Sequence, residues 1–108
     1  MCIFCNIVDG KIPNQTVAQN EDFLAFNDIS PLAKIHILII PKKHISSFNE
    51  VSPQTMANMT TFIQEIVEKL DIKDNGYRLI TNIGKQGGQE VEHLHFHLLA
   101  GEQLGKII

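Results

Sequence analysis

The segment His93-Leu94-His95-Phe96-His97-Leu98-Leu99 alternates imidazole and apolar side chains and closes on two leucines. Side chains on a β-strand alternate faces with period two. As a strand, the segment places His93, His95 and His97 on one side and Leu94, Phe96 and Leu98 on the other, in the core. A helix would scatter the three rings over about 200° and leave no coherent apolar face. The bland reading is a half-buried strand with a polar outer face, but Thr, Lys or Glu would serve that purpose. Three of the chain's five histidines fall in this one run. Clustered imidazoles bind metal or phosphate, or transfer protons.

The rest of the chain supplies the frame for such a strand. Residues 2–12 read as a short helix or turn opened by Cys2-x-x-Cys5, with Ile3, Phe4, Ile7, Val8 and Ile12 as apolar contacts. Thr16–Gln19 and Phe23–Phe26 read as strands joined by the tight turn Asn20-Glu21-Asp22. Ile35–Ile40 is a continuous apolar run holding His36, which reads as a central strand covered on both faces. Ser52-Pro53 starts a helix, with Ser as N-cap and Pro at the first position. Met56, Met59, Phe62, Ile63, Ile66, Val67 and Leu70 then recur at helical spacing, and Asp71–Gly76 is a cap and turn. Tyr77–Thr81 is a further strand. The order β-β-β-α-β-β indicates an α+β fold: a five-stranded antiparallel sheet, one long helix and a short N-terminal helix.

Bulk properties narrow the function. A chain of 108 residues with 44% hydrophobic content is one domain, residues 1–108, and a dimer interface would supplement its small core. The net charge of −3 and the absence of a Lys/Arg run argue against a nucleic-acid surface, so an anion must be held by a local site. No apolar run has transmembrane length. No basic region precedes the short apolar stretch at the N-terminus, so the expectation is a cytoplasmic chain with reduced thiols and no membrane contact.

The Gly-rich loop Asn82-Ile83-Gly84-Lys85-Gln86-Gly87-Gly88-Gln89 leads into the histidine segment. Glycines let backbone N–H groups approach an oxyanion, and the Asn82 and Gln89 side chains carry further amide donors. Neutral imidazole is a good nucleophile toward phosphorus, and a neighbouring ring can stabilise charge or protonate a leaving group. Two other chemistries fit the same residues. His-x-His on a strand can present two ligands to a catalytic metal, and a non-catalytic module could merely bind a nucleotide. Cys2-x-x-Cys5 offers two thiolates on one turn, half of a tetrahedral zinc site; alternatively these are two free thiols.

The run His93–Leu99 fits His-φ-His-φ-His-φ-φ, with φ apolar, at every position. Together with Phe23–Pro31, His36–Ser46 and Gly87–Leu99 it resembles the histidine triad (HIT) proteins, most closely their Hint-like nucleoside phosphoramidase branch. The resemblance covers almost the whole chain. It implies a homodimer whose sheets join, for which the Met56–Leu70 helix and the Tyr77–Thr81 strand are the candidate surfaces. It also implies attack on the α-phosphorus of a purine nucleoside phosphoramidate or related nucleotide by His95, giving a nucleotidyl-histidine intermediate. His93 and His97 then flank the nucleophile and His36 supports it. Asp28 falls at the ribose-binding carboxylate, and Ile3, Phe4, Ile7, Phe26, Ile29 and Leu38 at the nucleoside wall. Asn82, Gly88, Gln89 and Val91 fall in the phosphate loop. Glu90 stands on the leaving-group side, where many relatives have Ser or Thr, and Glu92 where many have Tyr. Some relatives that keep the cysteine pair complete a structural zinc site with the histidines matching His44 and His93. The resemblance thus implies Zn²⁺ on Cys2, Cys5, His44 and His93, and no organic cofactor.

Overall fold

The structure, a computed structural model, describes residues 2–108. A short helix α1 (Ile3–Val8) precedes three strands, β1 (Thr16–Gln19), β2 (Phe23–Asn27) and β3 (Ile35–Pro41). The long helix α2 (Pro53–Leu70) follows, then β4 (Arg78–Ile80) and β5 (Phe96–Ala100). The strands form one antiparallel sheet in the order β1-β2-β3-β5-β4, as the α+β reading expects. Among the described residues no helix is long and apolar enough to cross a membrane.

Local chemistry explains where the elements begin and end. Between β1 and β2, Asn20 Oδ1 accepts the N–H groups of Asp22 and Phe23 at 2.9 and 2.8 Å, an Asx turn that starts the hairpin. Ser52 caps α2 by accepting the Thr55 N–H at 3.1 Å, ahead of Pro53. At the other end Asp71 adopts the left-handed region (φ 54°) and its N–H bonds the Glu68 carbonyl. The turn directs Ile72 back into the core.

The sheet separates two apolar layers. Phe23, Ala25, Ile37, Ile39, Phe96 and Leu98 face α2, which covers them with Met59, Phe62, Ile63, Ile66 and Val67. Leu24, Phe26, Leu38 and Ile40 face the opposite side, where Phe4 and Ile7 of α1 cover them. β3 is buried on both faces, as its unbroken apolar run predicts.

The histidine segment departs from expectation in one respect. The predicted strand over His93–Leu99 begins only at Phe96 and runs to Ala100. The Ile39–Phe96 pair is the last in the β3–β5 ladder. Two residues along β3 lies Pro41, which has no N–H to donate, and Leu94 sends its own N–H to the Ile45 carbonyl instead. The alternation of faces nevertheless holds: Leu94, Phe96 and Leu98 lie in the α2-side core. The Tyr77–Thr81 strand is likewise shorter, Arg78–Ile80, and just past its end Thr81 donates its hydroxyl to the His95 carbonyl at 2.7 Å.

Leu98 is fully buried opposite Ile37 of β3 and Leu79 of β4. Leu98→Ala is expected to lower unfolding stability by about 2–5 kcal/mol, read as a fall in urea midpoint. An unchanged midpoint would contradict this core assignment.

Candidate functional site

The β3–β5 register sets Leu38 opposite His97 and His36 opposite Leu99, so His36 and His97 are diagonal neighbours on the α1 side of the sheet. Their rings lie 5.2 Å apart, and His36 Nε2 is 2.9 Å from His97 Nδ1. The His95 ring lies 5.2 Å from that of His97 and is met edge-on by Phe4 at 5.1 Å. His95 Nδ1 is 2.7 Å from the His93 carbonyl oxygen. A carbonyl only accepts, so the uncharged ring carries its proton on Nδ1 and leaves the Nε2 lone pair free. That is the protonation state a nucleophilic imidazole requires.

His93 has a different task from its two neighbours. Its ring is fully buried, and its Nε2–H donates to the Pro41 carbonyl at 2.8 Å. This leaves Nδ1 as an acceptor directed at Cys2 Sγ (3.3 Å) and Cys5 Sγ (3.5 Å). His44 Nδ1 faces the same sulfurs at 3.6 and 3.2 Å. The two sulfurs are 3.1 Å apart. Four possible ligand atoms thus converge from α1, the loop after β3 and the loop before β5. Burial, together with the neighbouring Cys2 sulfur, raises the Cys5 thiol to about 11.

A model of the HIT domain matches residues 9–104. The chain belongs to the HIT family. A HIT-like protein of Helicobacter pylori is 54% identical over 103 residues, covering 95% of this chain and 99% of its own. The purine nucleoside phosphoramidase of Escherichia coli K12 is 45% identical over 109 residues, covering 98% and 92%. The crystal structure of a HIT family hydrolase from Legionella pneumophila superposes with a TM-score of 0.92 at 42% identity, covering 97% and 96%.

In this HIT chain the structure separates the remaining candidate site residues into several groups. His36, His95, His97 and Asp28 come together: Asp28 Oδ2 is 3.5 Å from His36 Nε2, while Oδ1 accepts the Ser30 N–H at 2.8 Å. Phe4, Ile7, Phe26 and Leu38 form one packed cluster beside them, with Val91 against it, and Phe4 meets Phe26 edge-on at 5.8 Å. Ile3 is half exposed, and Ile29 stands 98% exposed on the loop after β2, so it is not packed into that wall. Asn82 is half-buried and Glu90 exposed at the two ends of the Gly-rich loop.

Gln89 does not offer the free amide that its sequence position suggests. Its Nε2 donates to the Ser46 and Val91 carbonyls at 2.7 and 2.9 Å, and its Oε1 accepts the Gly84 N–H. The backbone N–H groups of Gly88 and Gln89 bond the Lys85 and Gly84 carbonyls. Gly88 sits at φ +85°, where an L side chain would be strained. These groups shape the loop from within. Sequence reasoning also missed three backbone partners of the rings: the Leu32 N–H and the Pro41 and His93 carbonyls. A backbone group carries no residue-type signal.

Burial lowers the His97 pKa, with the charges of His95 and His36 adding to the effect. Burial lowers that of His93 as well. The folded protein therefore resists protons that the unfolded chain takes up near the usual value of 6.5. Their contribution is intact above about pH 6.5 and is lost as pH falls below it. The thermal midpoint is expected to drop between about pH 7.5 and pH 5, and His97→Gln to flatten that dependence. A midpoint with identical pH dependence in His97→Gln would refute the assignment.

Proposed function

We propose that this HIT protein is a nucleotide hydrolase or transferase acting on the α-phosphate of purine nucleoside phosphoramidates or related nucleotides. The observation that carries the reading is the 2.7 Å contact from His95 Nδ1 to the His93 carbonyl, which leaves Nε2 free beside His97. In the reaction the Nε2 lone pair forms a bond to phosphorus. The bond from phosphorus to the leaving amine breaks, and the amine departs with that electron pair and takes up a proton. The ring becomes cationic, and its Nδ1–H on the His93 carbonyl disperses the charge. Water then attacks phosphorus and loses a proton, the P–N bond breaks, and His95 is restored. Asp28 would accept the ribose hydroxyls, and the cluster of Phe4, Phe26 and Leu38 would meet the nucleoside. The phosphoramidase activity in the name of the 45% identical E. coli relative supports this choice of substrate.

His95→Ala is expected to reduce turnover of an adenosine phosphoramidate by at least about a thousandfold. Near-wild-type turnover in that variant would overturn the reading. A metal-dependent hydrolase would lose its activity to exhaustive chelation, whereas a nucleotidyl-histidine route keeps it. A pure binding module would bind AMP and turn over nothing.

Cys2, Cys5, His44 and His93 would hold a structural Zn²⁺. Zn–S and Zn–N bonds of about 2.3 and 2.0–2.1 Å give a tetrahedron with edges of roughly 3.3–3.8 Å. Three of the four sulfur–nitrogen separations, 3.3, 3.5 and 3.6 Å, fall in that range and the fourth, 3.2 Å, is just below it; the sulfurs, 3.1 Å apart, would have to spread toward about 3.8 Å. The ion would keep both sulfurs as thiolates and brace α1 against the segment leading to His95. Four protein ligands leave no open position for catalytic water. About one zinc per chain is expected by elemental analysis of protein purified without chelator or tag. Cys2→Ser/Cys5→Ser should lose the metal and lower the thermal midpoint. Absence of zinc from reduced, zinc-supplied protein would reject the site.

Two copies would pair through β4, one of the sheet's two outer strands, which carries the part-exposed Leu79 and follows the part-exposed Tyr77. Light scattering at micromolar concentration is expected to give a dimer mass, and a monomer mass would count against the pairing.

A further inference from the structure

We propose that the backbone N–H of Leu32 is a positioning group for the reaction. By occupying His36 Nδ1 it holds the His36 proton on Nε2, and so makes His97 a neutral Nε2–H donor to the phosphoryl group rather than an imidazolium acid. The inference rests on the phosphoryl-transfer reading above and adds how one of its rings is set.

The chain of partners admits little choice. Leu32 N lies 3.0 Å from His36 Nδ1, and an amide N–H can only donate. A neutral imidazole has one donor and one acceptor nitrogen. With Nδ1 accepting, His36 carries its proton on Nε2, which faces His97 Nδ1 at 2.9 Å. His97 Nδ1 must then accept, and the His97 proton goes to its Nε2. The two facing nitrogens need one hydrogen between them; the Leu32 amide sets which ring supplies it, and Asp28 Oδ2, 3.5 Å from His36 Nε2, favours the same choice. Without that amide the reverse arrangement competes, opposed by Asp28 alone: a proton on His36 Nδ1 and a His97 Nδ1–H donating back to His36. His97 Nε2 would then be a bare lone pair, which repels a phosphoryl oxygen.

A doubly protonated His97 would set two N–H groups head to head across the same 2.9 Å contact. The groups facing His97 are His95 just ahead of its strand, His36 on β3, Asp28 after β2 and Glu90 before β5; β4 contributes Ile80. Burial and the two rings outweigh the two carboxylates and hold the ring below the usual histidine range.

The loop that presents Leu32 is built to hold this amide. Alternate N–H groups along it are tied down: Asp28 to the His36 carbonyl (2.9 Å), Ser30 to Asp28 Oδ1 (2.8 Å) and Lys34 to Glu102 Oε2 (2.7 Å). The Leu32 side chain is 82% exposed, so packing of that side chain does not account for the loop's course. The same loop carries Asp28, which places the ribose carboxylate and the amide that sets the tautomer on one short span of chain.

Long-range ¹H–¹⁵N spectra of the ring nitrogens in the unaltered protein read the tautomers directly, with AMP present and absent, between about pH 6 and pH 8. The expected result is His36 and His97 both in the Nε2–H form, and His95 in the Nδ1–H form when uncharged. Leu32→Pro deletes the N–H and is expected to mix the His97 tautomers and lower kcat by about tenfold or more. KM should change less than kcat, because the contacts to the nucleoside are untouched. Leu32→Ala, which keeps the N–H, should retain the wild-type tautomers. A His97 that is Nδ1–H or doubly protonated near pH 7 overturns the proposal. So does a folded Leu32→Pro protein with unchanged tautomers and kcat. If Leu32→Pro fails to fold, the unaltered protein's spectra decide alone. Persistence of turnover in His95→Ala would instead remove the phosphoryl-transfer reading, an outcome these spectra do not touch.

Discussion

The pairing of β3 with β5 is the constraint on which the rest of the molecule depends. One register, Ile37 with Leu98 and Leu38 with His97, places Ile37, Ile39, Phe96 and Leu98 under α2. The same register turns His36 and His97 together on the other side. Because the side-chain period of a strand is two, slipping the pair by one residue would bury imidazoles under α2 and expose Leu98. The core and the site are therefore specified by a single choice, and the apolar contacts of α2 hold the histidines in place.

Pro41 limits that pairing and puts the limit to use. Lacking an N–H, it ends the ladder. The segment from His93 to His95 leaves the sheet, and the Pro41 carbonyl takes the His93 Nε2–H. This divides the histidine row by task. His93 turns its other nitrogen to the cysteines and gives its carbonyl to His95, while His95 and His97 remain with His36. One residue thus joins the cysteine–histidine cluster to the ring with the free lone pair.

The site is electrostatically mild. Its described contacts involve neutral imidazoles, one part-exposed carboxylate and backbone groups. A chain of net charge −3 does not attract anions by its overall field, so recognition of a phosphoryl group, as proposed above, would fall to directed hydrogen bonds. Each imidazole nitrogen then matters as donor or acceptor, and each is assigned by a backbone partner or by another ring.

The sequence alone determined which side of the sheet each residue of His93–Leu98 occupies, because alternation is a local property of an extended chain. It determined α2 from its cap and its periodic apolar stripe, and β3 from an unbroken apolar run. It also brought forward Cys2, Cys5, His44 and His93 as possible ligands, the last two through family resemblance. Tertiary structure decided where the histidine strand begins, since that depends on the Pro41 backbone across the sheet. It decided that the Gln89 amide is spent inside its own loop and that Ile29 stands in solvent. Above all it decided the tautomers. The partner of His93 Nε2 is 52 residues away in the chain, and that of His36 Nδ1 is a backbone amide beside an exposed leucine. Backbone donors and acceptors are the same at every residue, apart from the missing N–H of proline, so only the fold selects which of them meets which ring.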